Sequence, residues 1–271
     1  MIRRLMFAVM IAAPAVAQER IPSHCIALAG NGGQTGTDVV PVAFGDPLAP
    51  DTVRLRYIDH ATFLLETAGG LTAATDYTGY LGARDLVPDV VTMNNAHDTH
   101  WTDLPDPRIP HVLRGWADAA GPAAFNLDLG EMLVRNVTTD VRSRFGDDSR
   151  ADGNSIFVFE VAGLCIGHLG HLHHVPDAAQ FAAIGRLDVV MVPVDGGYTM
   201  NTTDMADVVR RLRSSVVVPM HWFSGASLEV FLAEMAGQFA VVRPEMSEIA
   251  LSLDNLPRQP TILVLEPEYL R

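Results

Sequence analysis

The alternation of apolar and polar residues predicts a β-hairpin that opens the regular part of the chain. Residues 53–57 alternate as a half-buried strand does, and residues 61–65 continue apolar before a turn at Gly69 and Gly70. Residues 71–75 then form the returning strand. The first regular element is therefore expected at residue 53.

Later apolar runs predict buried strands, most of which end in polar or glycine-rich sequence. Residues 205–212 have the spacing of an amphipathic helix. Strands that alternate with helices, after a series of hairpins, predict an α/β layered fold. Polar side chains at strand ends are where such folds commonly build binding sites. The predicted later strands are residues 87–93, 155–161, 164–169, 187–194 and 216–220.

No internal repeat or low-complexity tract divides the chain after residue 53. Residues 18–52 are rich in Gly, Pro and small polar residues without a sustained period, and we interpret them as an irregular lead-in. We therefore expect one domain over residues 53–271, a size at which a single large core is possible.

The first 17 residues have the pattern of a secretory signal peptide. Arg3 and Arg4 precede an uncharged apolar run that closes on Ala15 and Ala17. This run is shorter than the roughly 20 residues that a membrane-spanning helix needs. We predict cleavage after Ala17 and a periplasmic mature protein; an uncleaved N-terminal anchor is the alternative.

The charge balance narrows the class of partner. The formal net charge is −13, so the surface should repel nucleic acid phosphates and anionic lipids. No second apolar stretch reaches membrane length, so no membrane span is expected in the mature chain. A small-molecule substrate is the expected partner.

The chain has two cysteines, Cys25 and Cys165. In an oxidising compartment they could form one disulfide. Alternatively, Cys165 is a small buried hydrophobe and Cys25 lies loose near the N-terminus. Without a CxxC pair, a thioredoxin-like redox role or a four-cysteine zinc site is not expected.

Most of the ten histidines lie at predicted strand ends, and this arrangement predicts a metal site. His60 ends the first strand, two histidines follow residue 93, four lie in residues 168–174, and His221 follows the strand 216–220. Neutral imidazole offers a nitrogen lone pair near neutral pH and is the commonest metal-binding side chain.

Short motifs around these histidines resemble, in order, those of the metallo-β-lactamase superfamily, in the branch similar to the L-ascorbate-6-phosphate lactonases. The resemblance implies an αββα sandwich and a metal-dependent hydrolase. Residues 93–100 align with the THxHxDH metal motif of that branch. The other matching segments are residues 57–64, 75–77, 166–172, 192–199 and 218–222.

The resemblance implies a changed ligand set. His97 and His100 take the second and third histidines of the motif, and His221 takes a further ligand position. Asn95 stands at the first histidine, and Asp98 lies one residue before the aspartate position. His171 replaces a bridging aspartate. The proposed ligands are therefore His97, His100, His171, His221, Asn95 and Asp98.

A set dominated by neutral nitrogens suits one divalent ion, with zinc expected, better than two ions. Such an ion would support hydrolysis of an ester, lactone, amide or phosphoester, with Asp98 or Asp76 handling the proton. His60, His168 and Asp140 are expected to line the pocket. The alternatives are a catalytically degenerate metal- or ligand-binding protein and a mononuclear redox centre.

Overall fold

Two β-sheets packed face to face form the centre of the structure, a computed structural model that describes residues 23–26, 44–142, 149–223 and 225–271. The predicted signal peptide, residues 1–17, lies outside these ranges, as does most of the lead-in. Within the described ranges, every helix is too short or too polar to cross a membrane.

Every predicted strand and the predicted helix overlap an element of the described residues, and the structure adds elements that were not predicted. The strands are β1 (Val53–Asp59), β2 (Thr62–Thr67), β3 (Thr72–Ala74), β4 (Val90–Met93), β5 (His111–Arg114), β6 (Asn126–Asp128), β7 (Met132–Arg142), β8 (Ser149–Val161), β9 (Leu164–His168), β10 (Val189–Pro193), β11 (Val216–Met220), β12 (Ala240–Val242), β13 (Glu248–Leu251) and β14 (Thr261–Leu263). The helices are α1 (Ala178–Ile184), α2 (Thr202–Leu212) and α3 (Ala226–Glu234), with a short 3-10 helix at Leu253–Asn255.

The six-stranded sheet has the order β13-β1-β2-β3-β4-β5, and the eight-stranded sheet has the order β12-β14-β11-β10-β9-β8-β7-β6. In the second sheet, β9, β10 and β11 are parallel neighbours. In the first sheet, β3 runs parallel to β4. The predicted hairpins are β1-β2 and β8-β9, both antiparallel. The predicted α/β sandwich is confirmed.

Apolar side chains fill the space between the sheets. Val53, Leu55 and Tyr57 alternate along β1 and pack in one cluster with Phe157 and Phe159 of β8. A second cluster joins the other face of the eight-stranded sheet to the helices, while loop residues such as Tyr77 and Ile109 cover the outer face of the six-stranded sheet. The helical layer of the described residues therefore lies beside the eight-stranded sheet.

Strand β1 is buried on both faces, whereas its alternation predicted a half-buried strand. Arg54 and Arg56 are buried because charged partners cover them. Arg54 Nη1 donates to Glu66 Oε2 at 2.5 Å, and Arg56 Nη1 donates to Glu248 at 3.2 Å. Buried cations persist in folded proteins only when such partners satisfy them, and this pairing cannot be read from the alternation.

A disulfide attaches the beginning of the described chain to the sheet. Cys25 is bonded to Cys165 of β9, which decides between the two alternatives left open by the sequence. Ser23 and the backbone N–H of His24 also donate to the buried carboxylate of Glu160 on β8. This part of the irregular lead-in is therefore held against the eight-stranded sheet.

Candidate metal centre

Loops at one edge of the sandwich bring the histidines together. His221 follows β11, Asp195 follows β10, and His171 follows β9. Because these strands are parallel neighbours, their carboxyl ends meet at the same edge. His60 in the β1-β2 turn and His100 after β4 reach the same place from the other sheet.

His100 is fully buried and held by an aspartate. Its Nδ1 lies 2.5 Å from Oδ2 of Asp76, which is also fully buried. Burial raises the pKa of Asp76 to about 7, while the backbone N–H of Asn94, donating to Oδ1, lowers it. With Asp76 ionised, Nδ1 of His100 carries the proton and Nε2 keeps a lone pair.

His221 has an equivalent partner in Asp195, whose Oδ2 lies 2.8 Å from its Nδ1. Burial raises the pKa of Asp195, but the close contact with Nδ1 of His221 and hydrogen bonds from Thr199 and Gly197 outweigh it and hold that pKa well below the usual range. The ionised carboxylate therefore favours the proton on Nδ1 of His221 and leaves Nε2 as a lone-pair donor.

The two lone-pair nitrogens face each other. Nε2 of His100 lies 3.1 Å from Nε2 of His221. Two imidazole nitrogens bound to one zinc at about 2.0–2.1 Å would be about 2.9 Å apart at a right angle and about 3.3 Å apart at the tetrahedral angle. The observed spacing lies between these values, so the pair fits a single divalent ion.

Three more imidazoles surround this pair. Among the described residues, the ligand nitrogens of His60, His100 and His221 lie within 4.8 Å of one another, and so do those of His97, His100 and His171. His100 belongs to both sets. The structure therefore brings together all four histidines predicted as ligands, together with His60.

The imidazoles are held neutral, as metal ligands must be. Burial, together with the neighbouring His221 and His100, lowers the pKa of His60 to about 3. Burial and neighbouring histidines also lower the pKa values of His100 and His171 well below the usual range. Each neutral ring keeps one nitrogen lone pair, which a cation or a hydrogen-bond donor can occupy.

Asparagines behind the cluster fix its loops. Asn94 donates through Nδ2 to the carbonyl of Ser155 at 2.6 Å and contacts Nδ1 of His168 at 3.1 Å. Asn154 accepts from the backbone N–H of His171 at 2.9 Å. Both asparagines are fully buried, and sequence reasoning assigned neither a role, because no pattern marks an amide that supports a neighbouring loop.

Gly170 allows the β9 loop to approach the β4 loop. Its φ is +59°, and a Cβ added there would lie 2.2 Å from Nδ2 of Asn94. A glycine at this position therefore accommodates both the left-handed backbone and the close contact. The following residue, His171, takes its place in the cluster from this turn.

An open cleft of about 1340 Å³ leads to the cluster. Its lining includes two cationic side chains, Arg142 and Arg150, beside the acidic Asp98. Tyr198 and Phe223 stand at the mouth with exposed fractions of 72% and 63%. The cleft therefore combines cationic groups with an aromatic rim.

Two predicted ligands do not join the histidines. Asp98 is exposed at the rim of the cleft and belongs to neither histidine set found in the described chain. Asn95 lines the cleft, but its Oδ1 accepts from Nη2 of Arg150 at 2.6 Å, so the amide oxygen binds a guanidinium. Asn95, which stands where the motif has its first histidine, therefore contacts the positively charged side chain of Arg150.

Three other predicted roles need correction. Asp76, expected to handle protons, is fully buried and contacts His100, so it positions that ring. His168, expected in the pocket, is fully buried, and its Nε2 donates to the carbonyl of Ala61 at 2.8 Å. Asp140 is exposed outside the cleft lining and accepts from the backbone N–H of Asp152.

Asp195 follows a predicted strand at the carboxyl edge of the sheet, beside two glycines that are typical of a turn. Its contact with His221 was not predicted. Asp195 does form that turn, since its Oδ1 accepts from the N–H groups of Gly197 and Thr199. The same carboxylate also contacts His221, and its strand-end position was the available signal.

A family model described as the β-lactamase superfamily domain matches residues 54–221. A UPF0173 metal-dependent hydrolase of Symbiobacterium thermophilum is 33% identical over 210 residues, which span 70% of this chain and 92% of that protein. Another, of Methanosphaerula palustris, is 26% identical over 192 residues, spanning 65% of this chain and 87% of that protein.

A solved structure from Thermotoga maritima has the same fold. It is described as a Zn-dependent hydrolase of the metallo-β-lactamase superfamily. Its TM-score is 0.57 at 25% sequence identity, over 79% of this chain and 99% of that one.

Proposed function

Because this chain belongs to the metallo-β-lactamase superfamily, we propose that it is a metal-dependent hydrolase whose centre is built on His100 and His221. The names of its relatives support the activity. The observation that carries the proposal is the 3.1 Å approach of the two Nε2 atoms, each on a ring whose other nitrogen contacts a carboxylate.

The carboxylates give this pair the properties of metal ligands. Oxygen atoms of Asp76 and Asp195 orient the two rings and make their Nε2 atoms more basic. Neutral nitrogen donors of this type suit zinc, which we expect here as one ion. When bound, such an ion supplies a Lewis acid and lowers the pKa of a coordinated water.

The cleft side chains would handle the substrate. Asp98 is the carboxylate at the rim that can accept or hold a proton from the solvent side. The guanidinium groups of Arg142 and Arg150 would bind an anionic group, and the rings of Tyr198 and Phe223 would pack against an apolar part. We therefore propose a small anionic ester, lactone or phosphoester as the substrate.

We propose, at a finer level, that the chain acts as the L-ascorbate-6-phosphate lactonases do, which its sequence motifs resemble. In this resemblance His97, His100 and His221 take histidine positions of the motifs, which supports the proposal. Arg142 Nη2 donates to the carbonyls of Gly197 and Tyr198 at 2.9 and 3.3 Å, which holds a cation beside the cleft. We propose that the substrate carries a carboxylate or phosphate near the bond that is cleaved.

We also propose that the protein is exported to the periplasm after cleavage at Ala17. The apolar run before Ala17 supports a signal peptide. The disulfide between Cys25 and Cys165 supports an oxidising compartment. We further propose that residues 53–271 form one domain, because β1 pairs with β13 and thereby joins the two ends of that range.

The test is metal content and turnover of the mature protein, purified without a histidine tag. We expect about one equivalent of zinc per chain and hydrolysis of at least one member of an ester, lactone and phosphodiester panel. Chelation should abolish turnover and zinc should restore it. His221→Ala should lose both metal and activity, and the control His111→Ala should keep both.

Other outcomes separate the alternatives. Stoichiometric metal without turnover of any panel member would favour a binding protein on this fold. Turnover that survives complete removal of metal would contradict the proposal. Equal metal content in His221→Ala and the unmodified protein would place the ion elsewhere.

A further inference from the structure

His60 has a left-handed backbone conformation, which is uncommon for residues other than glycine. Its φ is +48°, and that of His221 is +60°. The carbonyl of His60 accepts hydrogen bonds from the Tyr57 hydroxyl at 2.8 Å and from the N–H of His221 at 2.9 Å. Such left-handed residues persist only where surrounding contacts hold them, and they concentrate at functional sites.

The ring of His60 is directed at the metal-binding pair. Its centroid lies 3.9 Å from that of His221 and 5.4 Å from that of His100. Its Nε2 is buried and has no hydrogen-bond partner among the described residues. A buried polar atom without a partner is costly, and a ligand would remove this cost.

The competing third ligand, His171, has its lone pair in use. Nδ1 of His173 accepts from the backbone N–H of Arg142 at 2.9 Å, so the proton of neutral His173 is on Nε2. That Nε2 lies 2.6 Å from Nδ1 of His171, which must therefore accept. Neutral His171 then carries its own proton on Nε2 and has no free lone pair.

We propose that His60, together with His100 and His221, forms a three-histidine centre for one divalent ion of the zinc and cobalt class. The ligand nitrogens of these residues lie within 4.8 Å of one another. Three protein ligands leave open positions, as catalytic zinc sites do. This inference rests on the proposed function in one respect, namely that His100 and His221 hold the ion.

The test compares His60→Asn with His171→Asn in the full mature chain. Asparagine tolerates positive φ, so His60→Asn removes the imidazole with little backbone penalty. The affinity of the metal-free proteins for Zn²⁺ is measured by competition with a chromophoric chelator. The visible absorption of the Co²⁺ forms is recorded as a second readout of ligand number and geometry.

We expect His60→Asn to weaken Zn²⁺ binding by at least about 100-fold and to change the Co²⁺ spectrum. His171→Asn should remain within about 3-fold of the unmodified protein and keep its spectrum. Circular dichroism and thermal unfolding of the metal-free proteins serve as folding controls. A large loss of affinity in folded His60→Asn is the supporting result.

Unchanged affinity and spectrum in His60→Asn would overturn the three-histidine centre. Equal losses of Zn²⁺ affinity in the two variants would show that His171 also contributes to binding. The assignment of His60, His100 and His221 as the ligands would then be wrong. If the proposed function is wrong, the pattern is different. The unmodified protein then binds no Zn²⁺, or His221→Ala binds Zn²⁺ as tightly as the unmodified protein does. In that case both proposals fall.

Discussion

Oδ2 of Asp195 lies 2.8 Å from Nδ1 of His221 because the register of two parallel strands places them side by side. Pro193 of β10 is paired with Met220 of β11; His221 directly follows Met220, and Asp195 lies two residues after Pro193. Any shift of β11 relative to β10 would separate the carboxylate from the ring. The strand pairing therefore sets the tautomer of a proposed ligand.

Asp195→Asn should weaken Zn²⁺ binding by about 10- to 100-fold, because the amide orients His221 without the carboxylate charge. Competition with a chromophoric chelator measures the effect. Asp98→Asn is the matched control, since Asp98 lines the same cleft away from the histidine sets. If both substitutions weaken binding equally, the loss of negative charge near the cleft explains the effect. The proposal that Asp195 positions His221 is then wrong.

Gly170→Ala should destabilise the protein by about 1–3 kcal/mol and weaken metal binding, because the added Cβ overlaps the side chain of Asn94. Urea unfolding and chelator competition measure the two effects. Gly237→Ala is the control, since Gly237 also has positive φ, at +81°, with open space around a Cβ. A smaller loss of stability in Gly170→Ala than in this control would contradict the close packing.

Replacing Cys25 and Cys165 with Ala should lower the free energy of unfolding by about 2–5 kcal/mol. The disulfide joins residues 140 positions apart, so breaking it releases a long loop in the unfolded chain. Urea unfolding with and without reductant measures the difference. Reductant should destabilise the unmodified protein and leave the double variant unchanged; insensitivity of both would argue against the bond in solution.

Acidification should destabilise the fold through Glu160. Burial raises the pKa of this carboxylate, but hydrogen bonds from Arg135 and Ser23 outweigh it and hold that pKa below its usual value. A depressed pKa means that the unfolded state binds more protons as the pH falls below about 4.5. The contribution is complete above that pH and is lost as the pH falls through the folded-state pKa.

Glu160→Gln tests this dependence. Arg135 Nε donates to Glu160 at 2.7 Å in a buried pair, so breaking it should cost about 3 kcal/mol at pH 7. The variant should then lose less stability than the unmodified protein as the pH falls from 7 to about 2, as measured by urea unfolding, with most of the difference below about pH 4.5. Parallel loss in both proteins would assign the acid sensitivity to other groups.

The sequence predicted those features that depend on local pattern. The apolar run at residues 216–220 coincides with β11, and the helical spacing at residues 205–212 lies within α2. Helix α2 begins earlier, at Thr202, because the Asn201 side chain accepts from the N–H of Asp204. The strand pattern alone therefore predicts that the histidines after these strands lie at one edge of the sheet.

What the sequence could not predict depends on long-range packing. Asp76 was identified as a candidate, but its complete burial against His100 follows from tertiary structure. The guanidinium of Arg150 in β8 likewise contacts Asn95 in the loop after β4, which is distant in sequence. The spacing of motifs therefore does not predict whether a carboxylate is exposed to solvent or buried against a ligand. The tertiary structure determines this.

The proposed metal centre also depends on how much of the chain has been synthesised, because His60 and His221 are far apart in sequence. A nascent chain that has not yet added β11 already contains His60, His97 and His100 but lacks the residue that faces them across the edge. With the proposed ligands, high-affinity metal binding therefore requires a chain that has folded with β11 in place. An ion bound by the proposed centre would therefore stabilise only the folded chain.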